Sequence, residues 1–110
     1  MKPLPPSIRE KQRYLKFSIH AEETIEFGEF VDAVWNSALS YMGSKDAGKA
    51  NHWIIKNKFD EKDQQGVIKV EKSSVDDFRA ALTLIDSFAG KNGFVEVTEV
   101  SGSIKKLQSD

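Results

Sequence analysis

The chain has 110 residues, 39% hydrophobic and 30% charged, with no Cys and a formal net charge of −1. That balance fits one soluble globular domain, 1–110, with a single core, and the lack of Cys excludes a disulfide framework, a thiolate site or an iron–sulfur centre. The near-neutral charge argues against holding nucleic acid by bulk charge alone, no stretch is apolar enough to span a membrane, and residues 1–13 lack the apolar run of a signal peptide, so the expectation is a cytoplasmic protein away from membranes.

Pro3, Pro5 and Pro6 keep the first residues out of helix and sheet interior, so residues 1–12 read as an extended arm. Leu15, Phe17 and Ile19 then alternate with Tyr14, Lys16 and Ser18, the pattern of a half-buried strand over 13–19. After the acidic connection 22–26, the residues Phe27, Phe30, Val31, Val34, Trp35, Ala38, Leu39 and Met42 fall at helical spacing, and Gly43 can end that helix. Residues 44–50 read as a polar loop or a short frayed turn. A second strand is expected from Trp53 to about Phe59, a hairpin loop over 60–66, and a third strand over 67–71.

The strand 67–71 leads into the clearest helix of the chain. Ser74 stands where an N-cap hydroxyl would accept from the Asp77 N–H, with Asp76 and Asp77 at the positive end of the helix dipole. Phe78, Ala81, Leu82, Ile85 and Ala89 share one face, and Gly90 is the expected C′ residue. A fourth strand follows over 94–100, and Ile104–Leu107 is a candidate short final element. The order strand, helix, strand, strand, helix, strand predicts an α+β fold of ferredoxin-like or RNA-recognition-like layout: a four-stranded antiparallel sheet with both helices on one face.

The residues offer little catalytic chemistry. His20 and His52 lack the spacing of a zinc site, and no Gly-x-Ser-x-Gly nucleophile motif exists. Gly43–Ala50 matches Gly-x-x-x-x-Gly-Lys, but Ala50 stands where the magnesium-binding hydroxyl belongs and the segment follows a helix rather than a strand. Lys45 and Lys49 read instead as phosphate contacts in a loop. The aromatic signature of the RNA-recognition motif is absent; Phe17 and Phe94 read as core, Tyr14 as an exposed ring, and Trp53 as either core or a partner anchor.

Charge is unevenly spread. Residues 1–20 carry five Lys/Arg against one Glu, residues 21–32 carry five acids and no Lys/Arg, and Lys105 and Lys106 form a second basic point. Such a chain could bind RNA on one side and a basic protein on another.

Four pieces carry a family resemblance. These are Leu4–Leu15 (LPPSIREKQRYL), Gly48–Ile55 (GKANHWII, with His52 where the family has Pro), Gly66–Ile85 with Ser73-Ser74-Val75 and Arg79-Ala80-Ala81-Leu82, and Val100–Lys105 (VSGSIK). In this order and spacing the chain resembles the archaeal ribonuclease P protein component 2 family, the small α/β subunit shared with eukaryotic ribonuclease P and MRP. The resemblance implies a protein that binds the catalytic RNA of ribonuclease P, which removes the 5′ leader of precursor tRNA. It implies a TIM-barrel protein partner (component 3), a heterotetramer joined through the small subunits, and precursor tRNA met only indirectly. It also implies that cleavage and its magnesium ions belong to the RNA, so the chain itself needs no active site and no cofactor. The expected RNA contacts are Arg9, Lys11, Arg13, Lys45, Lys49, Lys105 and Lys106; the expected protein-partner contacts are Tyr14 and Trp53. The rival readings are a stand-alone ferredoxin-like enzyme, for instance of the acylphosphatase type, and a regulatory small-molecule-binding domain. The first would need an Arg in a Gly-rich anion loop after the first strand, where Ala21-Glu22-Glu23 stands instead.

Overall fold

The computed structural model describes residues 12–102. The expected arm, all but its last residue, and the candidate element 104–107 lie outside them. Among the described residues there are five strands, β1 (Gln12–Ala21), β2 (Trp53–Ile54), β3 (Gln65–Glu71), β4 (Ser87–Phe88) and β5 (Lys91–Ser101), and two helices, α1 (Phe27–Ala50) and α2 (Val75–Thr83). The strands are antiparallel in the order β2-β3-β1-β5-β4. The α+β class and the order strand, helix, strand, strand, helix, strand are as expected. The sheet has five strands rather than four, because a two-residue strand is inserted before the last long one.

The core follows from period-two burial. Leu15, Phe17 and Ile19 of β1, Ile68 and Val70 of β3 and Val95 of β5 face Phe30, Val34, Ala38, Phe78 and Leu82 of the helices. Phe17 and Phe30 stack at 4.5 Å between ring centroids. A slot opposite Phe17 is kept free by Gly66, where a Cβ would lie 2.7 Å from the Phe17 ring. A bulge at Thr98 keeps both halves of β5 in phase with β1: Lys16 pairs with Glu99 but Phe17 with Val97, and the Thr98 hydroxyl donates to the Lys16 carbonyl at 3.2 Å.

Several local expectations are corrected. Gly43, at φ +82, interrupts α1 as foreseen, but residues 44–50 resume the helix rather than forming a loop. Ala47 and Ala50, three apart, are buried and hold that second segment against the core. Only Trp53–Ile54 of the expected second strand pairs with β3, although the Ile55 N–H still reaches the Val67 carbonyl. Lys56–Lys58 then coil into a 3₁₀ turn, since three consecutive polar residues give no apolar alternation to hold against a sheet.

The second helix is shorter at its end and differently capped at its start. Ser74 is buried and makes no capping bond; instead Glu71 accepts from the Ser73 N–H at 3.0 Å and opens a 3₁₀ turn over 72–74. The helix stops at Thr83, and the N–H groups of Leu84 and Ile85 reach only three residues back. Ala89 (φ +50) and Gly90 (φ +85) form a two-residue hairpin turn between β4 and β5, the type in which both central residues have positive φ. Gly90 is therefore a hairpin residue, not a helix cap.

Candidate functional site

The basic residues are best described by where the fold anchors them. Arg13 lies in β1, half-buried, with one guanidinium nitrogen donating to the Gln12 carbonyl at 2.9 Å. Tyr14 pairs with Ser101, and the Arg13 guanidinium passes beside Gly102. The start of β1 and the end of β5 are thus adjacent at one end of the sheet, although they are almost 90 residues apart in sequence. Arg9, Lys11, Lys105 and Lys106 lie outside the described residues. Lys45 and Lys49 are exposed, one turn apart on the second segment of α1. They stand on a helix and not in the glycine-rich loop between a strand and a helix that cradles phosphate.

On the sheet face away from the helices, Trp53 of β2, Lys69 of β3 and Tyr14 of β1 form one cross-strand row. Trp53 is 65% exposed, whereas Tyr14 is half-buried. Phe94, expected in the core, is instead exposed and stacks on His20 at 4.8 Å, with the His20 ring 2.9 Å from the Glu96 carboxylate. It pairs opposite His20 rather than an inward residue of β1, and the strand alternation then puts it outside.

Around β2 lies a shallow apolar groove of about 280 Å³ lined by Phe27, Val31, His52, Trp53, Ile54 and Lys56. Trp35, part of the apolar stripe of α1 in sequence, is exposed at its margin and rests on His52. His52 in turn lies against Phe78 at 4.9 Å. Burial between these rings holds the His52 imidazole below its ordinary pKa. Its folded pKa is below its unfolded one, so the unfolded chain binds the proton more readily and stability falls as pH drops through and below about 6.5. Urea midpoints measured from pH 7.5 to 5 should therefore fall for the natural chain. His52→Phe should remove part of that slope.

The opposite flank of α1 is acidic. Glu29 closes the helix start by accepting from the Glu26 N–H at 2.9 Å, and it binds the Lys91 ammonium at 3.0 Å. The Glu26 N–H and the Lys91 contact hold the Glu29 carboxyl below its usual pKa, and Glu29 raises that of Lys91. Among the described residues no group of three or more His, Asp or Glu side chains could hold a metal ion. No helix there is long and apolar enough to cross a membrane.

Comparison with known proteins bears on this arrangement. A family model described as the Rpp14/Pop5 family matches residues 13–110. "Ribonuclease P protein component 2" of Thermococcus gammatolerans is 38% identical over 105 residues, covering 96% of this chain and 86% of the relative. The protein of that description from Pyrococcus furiosus is 37% identical, covering 97% and 88%, and that from Methanocaldococcus jannaschii is 36% identical, covering 98% and 78%. A chain in the structure titled "Cryo-EM structure of yeast Ribonuclease MRP" superposes with a TM-score of 0.69 at 17% identity, covering 94% of this chain and 79% of that one.

Proposed function

The chain belongs to the Rpp14/Pop5 family, and from that premise we propose that it is a protein subunit of ribonuclease P, acting in removal of the 5′ leader of precursor tRNA. The observation that carries this reading is full-length similarity: relatives described as ribonuclease P protein component 2 align over almost the whole chain at more than a third identity. In this reading the chain binds the catalytic RNA and supports it together with a TIM-barrel protein subunit, and small subunits join two such pairs. The RNA carries out cleavage with its own magnesium, and precursor tRNA meets the chain only through the particle.

The fold supplies a reason for the distribution of charge. Tyr14 pairs with Ser101 and Arg13 lies beside Gly102, so the segments that carry Arg9 and Lys11 and Lys105 and Lys106 join the described fold at one end of the sheet. In this reading their guanidinium and ammonium groups meet the phosphates of a folded RNA, which they position without reading sequence. Lys45 and Lys49 offer two further cations on α1.

The experiment is RNA binding by the complex of this chain with its protein partner, from low to moderate salt. Arg9→Ala/Lys11→Ala should weaken binding to ribonuclease P RNA and lower the log–log salt slope by roughly 1.5, at ~0.7–0.9 per lost phosphate contact. Adding Arg13→Ala should take the reduction to roughly 2 or more. Arg13 is half-buried beside Gly102, so the double variant separates lost charge from a disturbed strand. An unchanged slope would remove the arm from the RNA interface and leave Lys45, Lys49, Lys105 and Lys106 as candidates.

A further inference from the structure

We propose that the cleft between α1 and residues 84–89 is a docking site for a protein segment presenting a Lys or Arg side chain between apolar ones. The cleft has a volume of about 530 Å³, and its walls include Asp32, Ser40 and Tyr41 from α1 and Leu84 and Asp86 from the opposite side. It is a face that the RNA reading leaves unassigned, and the inference does not rest on that reading.

Two exposed apolar side chains flank it. Leu84 is 60% and Tyr41 49% exposed, and a Leu and a Tyr ring exposed on the two walls of one cleft are what apolar side chains of a partner would cover. The carboxylates decide the chemistry of that partner. Neither the Asp32 nor the Asp86 carboxylate has a hydrogen-bond or ion-pair partner among the described residues, whereas the neighbouring Glu29 is already neutralised by Lys91. Two uncompensated negative charges across a cleft favour a cationic group and oppose a phosphate backbone, so RNA is the wrong occupant.

The walls are held in place by the fold. The Ser37 hydroxyl donates to the Ala81 carbonyl at 2.5 Å and ties α1 to α2, and the Gly93 N–H donates to the Asp86 carbonyl at 3.1 Å and ties the far wall to β5. Preformed walls lose little freedom on binding, which favours a cleft that is ready to receive a segment over one that must be moulded by it.

The test uses the full chain and three probes: the hexapeptide Leu-Arg-Leu-Lys-Leu-Arg, the same peptide with Glu at each basic position, and a 12-residue uridine RNA. The basic peptide should bind and shift the amide resonances of Asp32, Asn36, Tyr41, Leu84 and Asp86. Asp32→Asn/Asp86→Asn should weaken it roughly tenfold, as expected for two lost charge contacts, and the acidic peptide and the RNA should leave these resonances in place. Asp32→Lys alone, at an exposed helix position, should also weaken the peptide, which keeps the test decisive if the double variant does not fold. No binding, equal binding to the variants, shifts mapping to another face, or movement of the cleft amides by RNA would each overturn the proposal. Ribonuclease P RNA binding, measured separately, reports on the functional reading and not on the cleft.

Discussion

Phe17→Ala is expected to cost about 3–5 kcal/mol, the range for removing a fully buried aromatic ring. Phe17 is 0% exposed, stacks on Phe30 and fills the space that Gly66 leaves open. The cavity would lie between the central strand and α1, where the rings of Phe30 and Phe59 cannot both close on it without leaving their own contacts. Since a domain of this size has only about 5–15 kcal/mol in hand, the variant should lose a large share of its stability, visible as a fall in the urea midpoint with little change in slope. Phe94→Ala, on an exposed ring, should cost far less. A loss under about 1 kcal/mol for Phe17→Ala would mean that β1 does not form the centre of the core.

The second large effect concerns activity. A preparation of the assembled particle should lose all 5′ processing of precursor tRNA when its RNA is digested by nuclease, and the purified chain should cleave nothing at any magnesium concentration. The residues support this expectation. His20 is held near the end of β1 by Glu96 and Phe94, and His52 lies against Trp35 and Phe78. The contacts of His20 are one carboxylate and one ring, and those of His52 are two rings, so packing and one ion pair account for both imidazoles. Processing that survives nuclease would restore the stand-alone enzyme as the better reading.

What was legible in the sequence follows the strength of each periodicity. Leu15, Phe17 and Ile19 against Lys16 and Ser18 leave one solution, a half-buried strand, and Phe30, Val34 and Ala38 leave one face for α1. Over 84–90 the sequence points the wrong way, because Ile85 and Ala89 fit a continuing helix. Phe88 does not fit that face; its complete burial comes from the hairpin, which turns it toward Phe30 at 6.1 Å. Over 44–50 the reason is the opposite: a polar composition hides two buried alanines three apart.

The candidate site was less legible than the fold. Charge type is visible in sequence, but adjacency is not: that Arg13 lies beside Gly102, or that Asp32 and Asp86 line one cleft, depends on strand register and on where α2 ends. Trp35 shows the limit of a helical stripe as a signal. It satisfies the spacing of a core residue, yet it stands at the margin of the stripe, where a ring can be exposed without disturbing the helix.

A protein subunit of a ribonucleoprotein that matures tRNA should carry that RNA with it out of the cell. The direct measurement is to tag the chain in its native cells, purify it under conditions that keep complexes intact, and sequence the RNA that accompanies it. Ribonuclease P RNA should be the dominant enriched species and should disappear when the arm and the other basic positions are neutralised together. A folded, tagged chain that brings down no ribonuclease P RNA above background would contradict a role as a ribonuclease P subunit.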